Sequence, residues 1–119
     1  MYHKHVCRVV GDDWQFTFNA TDPTTSLAVN LTGYTPGGIL YQSTTSLLTI
    51  SGGMVDTSQL STGVFKLTIP RATTVNYTPD ETAYRLRVTL VDTNSLQTTY
   101  AVIPLKVLQI WLKLIWWIL

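Results

Sequence analysis

Tyr84-Arg85-Leu86-Arg87-Val88-Thr89-Leu90 decides the fold class of this chain. Tyr84, Leu86, Val88 and Leu90 share one face of an extended backbone, and Arg85, Arg87 and Thr89 share the other. Side chains alternate along a strand, so this is the pattern of a strand with one face buried. Asp92-Thr93-Asn94-Ser95 follows as a hairpin turn, and residues 96–108 return as the last long strand. Just upstream, Asp80-Glu81-Thr82-Ala83-Tyr84 has the spacing of a tyrosine corner, in which a Tyr at the start of a strand hydrogen-bonds back to nearby backbone. The other reading of Tyr84 is an ordinary inward aromatic. Leu86 stands where an antibody domain carries a disulfide cysteine, so the core at that point is apolar.

Working outward, the same period recurs. Trp14, Phe16 and Phe18 face one way, with Gln15 and Thr17 opposite; Gly11-Asp12-Asp13 precedes them as a turn and Asp22-Pro23-Thr24 follows. Phe65, Leu67 and Ile69 alternate with Lys66 and Thr68 between Gly63 and Pro70. Proline lacks the N–H a central ladder needs, so Pro70 closes that strand. Residues 27–31, 39–42 and 46–50 read as shorter strands, Gly52-Gly53 as a break, and 71–79 as a connection with one short helical turn. Short strands at near-regular spacing, punctuated by turns, predict a sandwich or barrel. The expected core is Trp14, Phe16, Phe18, Phe65, Leu67, Ile69, Tyr84, Leu86 and Val88.

Size and composition agree with one such domain. At 119 residues the chain can bury roughly two thirds of its unfolded surface around a single core. Cys7 is the one cysteine, which excludes an internal disulfide framework. Charged residues make up 13% and the net charge is +1, so there is no electrostatic footprint for nucleic acid. The N-terminus Met1-Tyr2-His3-Lys4-His5 is polar and leads into no apolar h-region, so no signal peptide is expected. Asn19, Asn30 and Asn76 each open an Asn-x-Thr triplet, which chance supplies in a threonine-rich chain.

The segment 105–119 changes character. Lys106, Gln109 and Lys113 stand three and four apart among Leu, Ile, Val and Trp residues, so on a helix they form one narrow polar stripe. On a strand they would fall on both faces. A short hydrophobic C-terminal helix is therefore expected from about Gln109 onward. Fifteen helical residues rise only about 22 Å, short of a ~30 Å hydrocarbon core. So apolar a helix drives association, with Trp111, Leu114, Ile115, Trp116, Trp117 and Ile118 as candidate assembly anchors. Packing on its own domain is the second reading, and interfacial membrane contact the third.

Catalytic patterns are missing from the sequence: no Gly-x-Ser-x-Gly elbow, no phosphate-cradling loop, no helical His pair. Asp12 and Asp13 are adjacent and so point apart, which suits capping a turn better than acid–base work. His3, His5 and Cys7 would project from one side of an extended chain as zinc-type ligands, but no fourth ligand accompanies them. No catalytic residue, metal or cofactor is expected.

Gly11-Asp12-Asp13-Trp14-Gln15-Phe16-Thr17-Phe18, then Asp22-Pro23, then Val29-Asn30-Leu31-Thr32-Gly33-Tyr34 resembles the opening of a family of small bacteriophage virion domains. These domains occur at the N-terminus of phage baseplate upper proteins and tail-fibre proteins, and as free-standing virion proteins. Ser61-Thr62-Gly63-Val64-Phe65-Lys66-Leu67-Thr68-Ile69-Pro70 and Tyr84-Arg85-Leu86-Arg87-Val88 also resemble later segments of that family, so the likeness covers roughly residues 9–108. Asn30 replaces the family's usual Asp, and the hydrophobic tail departs from its pattern. The resemblance implies an immunoglobulin-like antiparallel β-sandwich used for assembly, located in the virion after synthesis in the host cytoplasm. Its partners would be other virion proteins or further copies of the chain. The expected organisation is thus an all-β sandwich over 1–108 and a hydrophobic helical tail over 109–119, in a structural protein of the tail, baseplate or fibre. A capsid decoration or cement protein is the neighbouring alternative. A carbohydrate- or receptor-binding module, presenting Tyr34, Tyr41 and Tyr77, is the alternative of a different class.

Overall fold

The computed structural model describes residues 6–109. Those residues form eight strands: β1 Val6–Val9, β2 Trp14–Asn19, β3 Thr35–Gln42, β4 Thr45–Ile50, β5 Val55–Asp56, β6 Val64–Ile69, β7 Asp80–Val91 and β8 Gln97–Leu108. A single helical turn, α1 Arg71–Thr74, lies between β6 and β7, and two 3-10 turns flank β5. The strands make two sheets, one of five in the order β1-β8-β7-β3-β4 and one of three in the order β2-β6-β5. All neighbours are antiparallel except β1, which runs parallel to β8 with Val6 opposite Leu105 and Val9 opposite Leu108. The expected tail helix and its anchors Trp111, Leu114, Ile115, Trp116, Trp117 and Ile118 lie outside the described residues, as do His3 and His5.

The inner faces of the two sheets share one core. Trp14, Phe16, Phe65, Leu67 and Ile69 enter it from the small sheet, and Leu40, Tyr84, Leu86, Val88 and Leu105 from the large one. Eight of the nine expected core residues are buried, as period-two alternation requires. Phe18 is the exception. It is half-buried at the rim, where its ring stacks on Phe65 with centroids 5.1 Å apart. Thr89 is buried although the alternation puts it outside, next to a register shift between Val88 and Thr89 that breaks the pleat.

Two strand expectations need correction. Residues 27–31 form no strand; a single bridge joins Thr21 to Ala28, and the chain curls around Asp22, whose carboxylate accepts from the Thr24 and Thr25 amides. Short-range capping of this kind competes with a ladder and wins where no second strand is adjacent. β3 starts at Thr35 rather than Ile39, through Pro36-Gly37-Gly38. Pro36 is tolerated because β4 pairs only from Gly38 onward, which leaves β3 unpaired on that side at Pro36. Gly37 and Gly38 are needed for room, since a Cβ at either would stand 2.9 Å from a carbonyl oxygen, of Ile50 and of Arg87 respectively. β1 was not anticipated, because four residues with one Arg carry too little alternation to stand out.

Two polar anchors set the pole of the molecule where Trp14 and Tyr84 lie. The Tyr84 hydroxyl donates to the Thr78 carbonyl at 2.7 Å, the back-bond of a tyrosine corner. The Asp13 carboxylate accepts from the Arg71 amide at 2.7 Å, and Thr74 Oγ1 donates to the Asp12 carbonyl at 2.7 Å. The adjacent aspartates therefore clamp α1 to the start of β2.

Tyr77 sits between these anchors, its ring tilted against Trp14 and Tyr84 at 5.6 and 6.2 Å. Its hydroxyl is buried and has no hydrogen-bond partner among the described residues. Burial pushes its pKa above the ordinary tyrosine value. A buried hydroxyl without a partner costs stability, so Tyr77→Phe should be neutral or should stabilise by up to about 1 kcal/mol in urea unfolding. A loss larger than that would mean that the hydroxyl is bonded.

Candidate functional site

The opposite pole, where β2 and β7 end and β8 begins, carries a cleft of about 360 Å³. Tyr100 lines it, and two aromatic residues from other strands pack against that ring from behind. Phe18 of β2 and Phe65 of β6 stack, and the Tyr100 ring of β8 meets both edge-on, at 5.9 and 5.6 Å. The Tyr100 hydroxyl donates to the Asn19 carbonyl at 3.2 Å, tying the edge of one sheet to the edge of the other. Burial raises the Tyr100 pKa above the ordinary tyrosine value.

One wall is the doubled-back segment between β2 and β3. The Ala20 amide donates to the Gly63 carbonyl (2.8 Å), the Val29 amide to the Ala20 carbonyl (2.9 Å), and the Leu31 amide to the Leu60 carbonyl (2.8 Å). These bonds present Ala20, Thr21, Val29 and Leu31 to the cleft, and Tyr34 closes the end. Asn30 Oδ1 accepts from the Thr32 amide at 2.9 Å, so the residue in the Asp-like position of the motif caps this loop. The other wall is Leu90 and Thr98, opposed across β7 and β8. The turn that joins them is held by Asp92, whose carboxylate accepts from the Asn94 and Leu96 amides at 2.8 and 2.9 Å.

No lining residue is charged. The nearest turn aspartates, Asp22 and Asp92, spend their carboxylates on backbone amides. Exposed apolar residues of the loops at this pole are Leu27 (67% exposed), Leu96 (66%), Tyr34 (38%) and Val29 (36%). Among the described residues, four of the six exposed large apolar side chains thus belong to this pole, the other two being Val75 and Val102. Such a cleft favours a largely apolar, uncharged occupant, with Asn19, Thr21 and Thr98 among its lining as polar partners. A second depression, lined by Asp56, Gln59 and Lys66 among others, has about 20 Å³, room for one water.

The residues singled out from sequence are placed apart from one another. Cys7 is exposed on β1 opposite Lys106, and the described residues hold no cluster of three or more potential metal ligands. Of the tyrosines, Tyr34 borders the cleft, Tyr77 packs at the opposite pole, and Tyr41 carries the Arg85 guanidinium 4.7 Å over its ring on β3. They do not form one platform. The cleft itself is hidden from sequence reading because 27–31 reads as a short strand and Tyr100 as one residue of the last long strand. Its one legible signal was Leu27 and Val29, apolar side chains in a turn-rich segment.

No protein-family model matches the chain, and no curated protein is significantly similar to it.

Proposed function

We propose that the chain is a non-catalytic assembly module, a bacteriophage structural protein that works at the tail, baseplate or fibre of the virion. The observation that carries this reading is the uncharged cleft at one pole, beside loops with exposed apolar residues, a surface built to receive part of another protein. The strand order supports an immunoglobulin-like sandwich. With β2, β3, β6, β7 and β8 in the places of strands B, C, E, F and G, the tyrosine corner falls at the start of F, where that architecture has it. Sandwiches of this kind host many functions, so the assembly role rests on the cleft, and the placement in a virion on the sequence resemblance over residues 9–108.

Quantitative mass spectrometry of purified virions tests the reading. The chain should be present at a fixed copy number per particle and remain after washing at high salt, since an apolar contact is not screened. Its presence in the lysate and absence from washed particles would sink the proposal. The alternative that a specific feature favours is a carbohydrate- or receptor-binding module, because Tyr34 and Tyr100 flank the cleft beside Asn19, Thr21 and Thr98. Saturable binding of a glycan by the isolated protein, lost on Tyr34→Ala, would select that alternative.

A further inference from the structure

We propose that the cleft receives the Trp-rich C-terminal segment of a second copy of this chain, so that copies join head to tail. The inference rests on the assembly reading and names the occupant of its site.

The geometry of β8 carries the argument. This strand begins at the cleft, where Thr98 is a lining residue, and ends at the other pole, where Val6–Val9 pairs alongside residues 105–108. Ten strand steps from Thr98 to Leu108 span roughly 33 Å. The body is 51 Å along its longest axis, so cleft and chain exit lie far apart. Residues 110–119 measure about 15 Å as a helix, and at most about 33–36 Å fully extended. A helical segment therefore cannot return to its own cleft. An extended one would spend its whole length on the journey, with nothing left to turn or enter. A neighbouring copy meets no such limit.

Chemistry points the same way. The segment Ile110-Trp111-Leu112-Lys113-Leu114-Ile115-Trp116-Trp117-Ile118-Leu119 carries one charge and three indoles. The cleft has no charge and is lined by Val29, Leu31 and Leu90 together with Tyr34 and Tyr100. A buried indole N–H needs an acceptor; Asn19 and Thr21 are among the lining residues that can supply one. About 360 Å³ accommodates one or two large side chains and not the whole segment. The exposed Leu27, Tyr34 and Leu96 of the loops at this pole then cover the remainder. Such a contact is heterologous, and repetition of it closes a ring or grows a filament.

The test uses the full chain and two complementary variants, followed by sedimentation across a concentration series. Thr98→Arg fills the cleft with a long cation at an exposed position; Trp111→Ser, Trp116→Ser and Trp117→Ser together remove the indoles. The native chain should form species above the 13.3 kDa monomer as concentration rises. Each variant alone should stay monomeric with an unchanged far-ultraviolet circular dichroism spectrum. Mixed, they should form a 1:1 heterodimer and nothing larger, because one variant retains only the segment and the other only the cleft. Should Thr98→Arg fail to fold, Tyr34→Asp at the rim replaces it. A mixture that stays monomeric while the native chain associates overturns the proposal, and so does a native chain that is monomeric throughout. Either result leaves the assembly reading intact if virions contain the protein; absence from virions removes that reading by itself.

Discussion

Truncating Leu86 to Ala should lower the unfolding free energy by about 2–5 kcal/mol, read from the urea midpoint at constant slope. Leu86 has no exposed surface, and its strand β7 is flanked on both sides by β3 and β8, with Leu40 and Ile103 opposite it. Its Cδ1 also packs toward Gly38, and Gly38 has no side chain with which to fill the hole. The lost transfer energy and the residual cavity therefore add. A domain of this size has roughly 5–15 kcal/mol in all, so the variant keeps only part of its margin. Arg85→Ala, one residue away on the opposite face, should cost no more than about 1 kcal/mol, the worth of an exposed cation over the Tyr41 ring. Equal costs at the two positions would contradict the burial of one face only.

Gly63→Ala should be as damaging, by about 3 kcal/mol or more, although it adds a single methyl group. Gly63 has φ +80°, a left-handed conformation that costs a residue with a side chain roughly 1–3 kcal/mol. The added Cβ would also stand 2.7 Å from two carbonyl oxygens, those of Ala20 and Val29. Both are backbone atoms and cannot rotate away. Relief requires moving the 20–31 segment, which is a wall of the cleft, so stability and self-association should fall together. If Gly63→Ala unfolds at the native urea concentration, that wall yields freely and the cleft is not preformed.

The strands with clean alternation were legible because each has one wet and one dry face. In β6 and in 84–88 of β7 every inward residue of the sequence pattern is buried. The failures have a common cause. Where the backbone is satisfied by local side chains, as around Asp22, or where glycine and proline make room for a neighbouring strand, as at Pro36-Gly37-Gly38, side-chain pattern no longer reports conformation. The cleft is illegible for a further reason. It is assembled from β2, the 20–34 loop, β7 and β8, up to 81 positions apart, as Asn19 and Tyr100 show. No local window contains it.

The parallel pairing of β1 with β8 has a consequence for the order of folding. Val6 meets Leu105, so this contact closes a loop of about a hundred residues. Loop closure costs (3/2)RT ln n plus a constant, about 4 kcal/mol for the length-dependent part alone. The β7–β8 hairpin closes through a turn of only a few residues and so can form early. β1 has nothing to pair with until that hairpin exists. On a ribosome, β1 emerges well before β8 and must wait for it before its hydrogen bonds can be made. Folding should accordingly be slow for the chain's size, in the millisecond-to-second range of β-sheet proteins dominated by distant contacts.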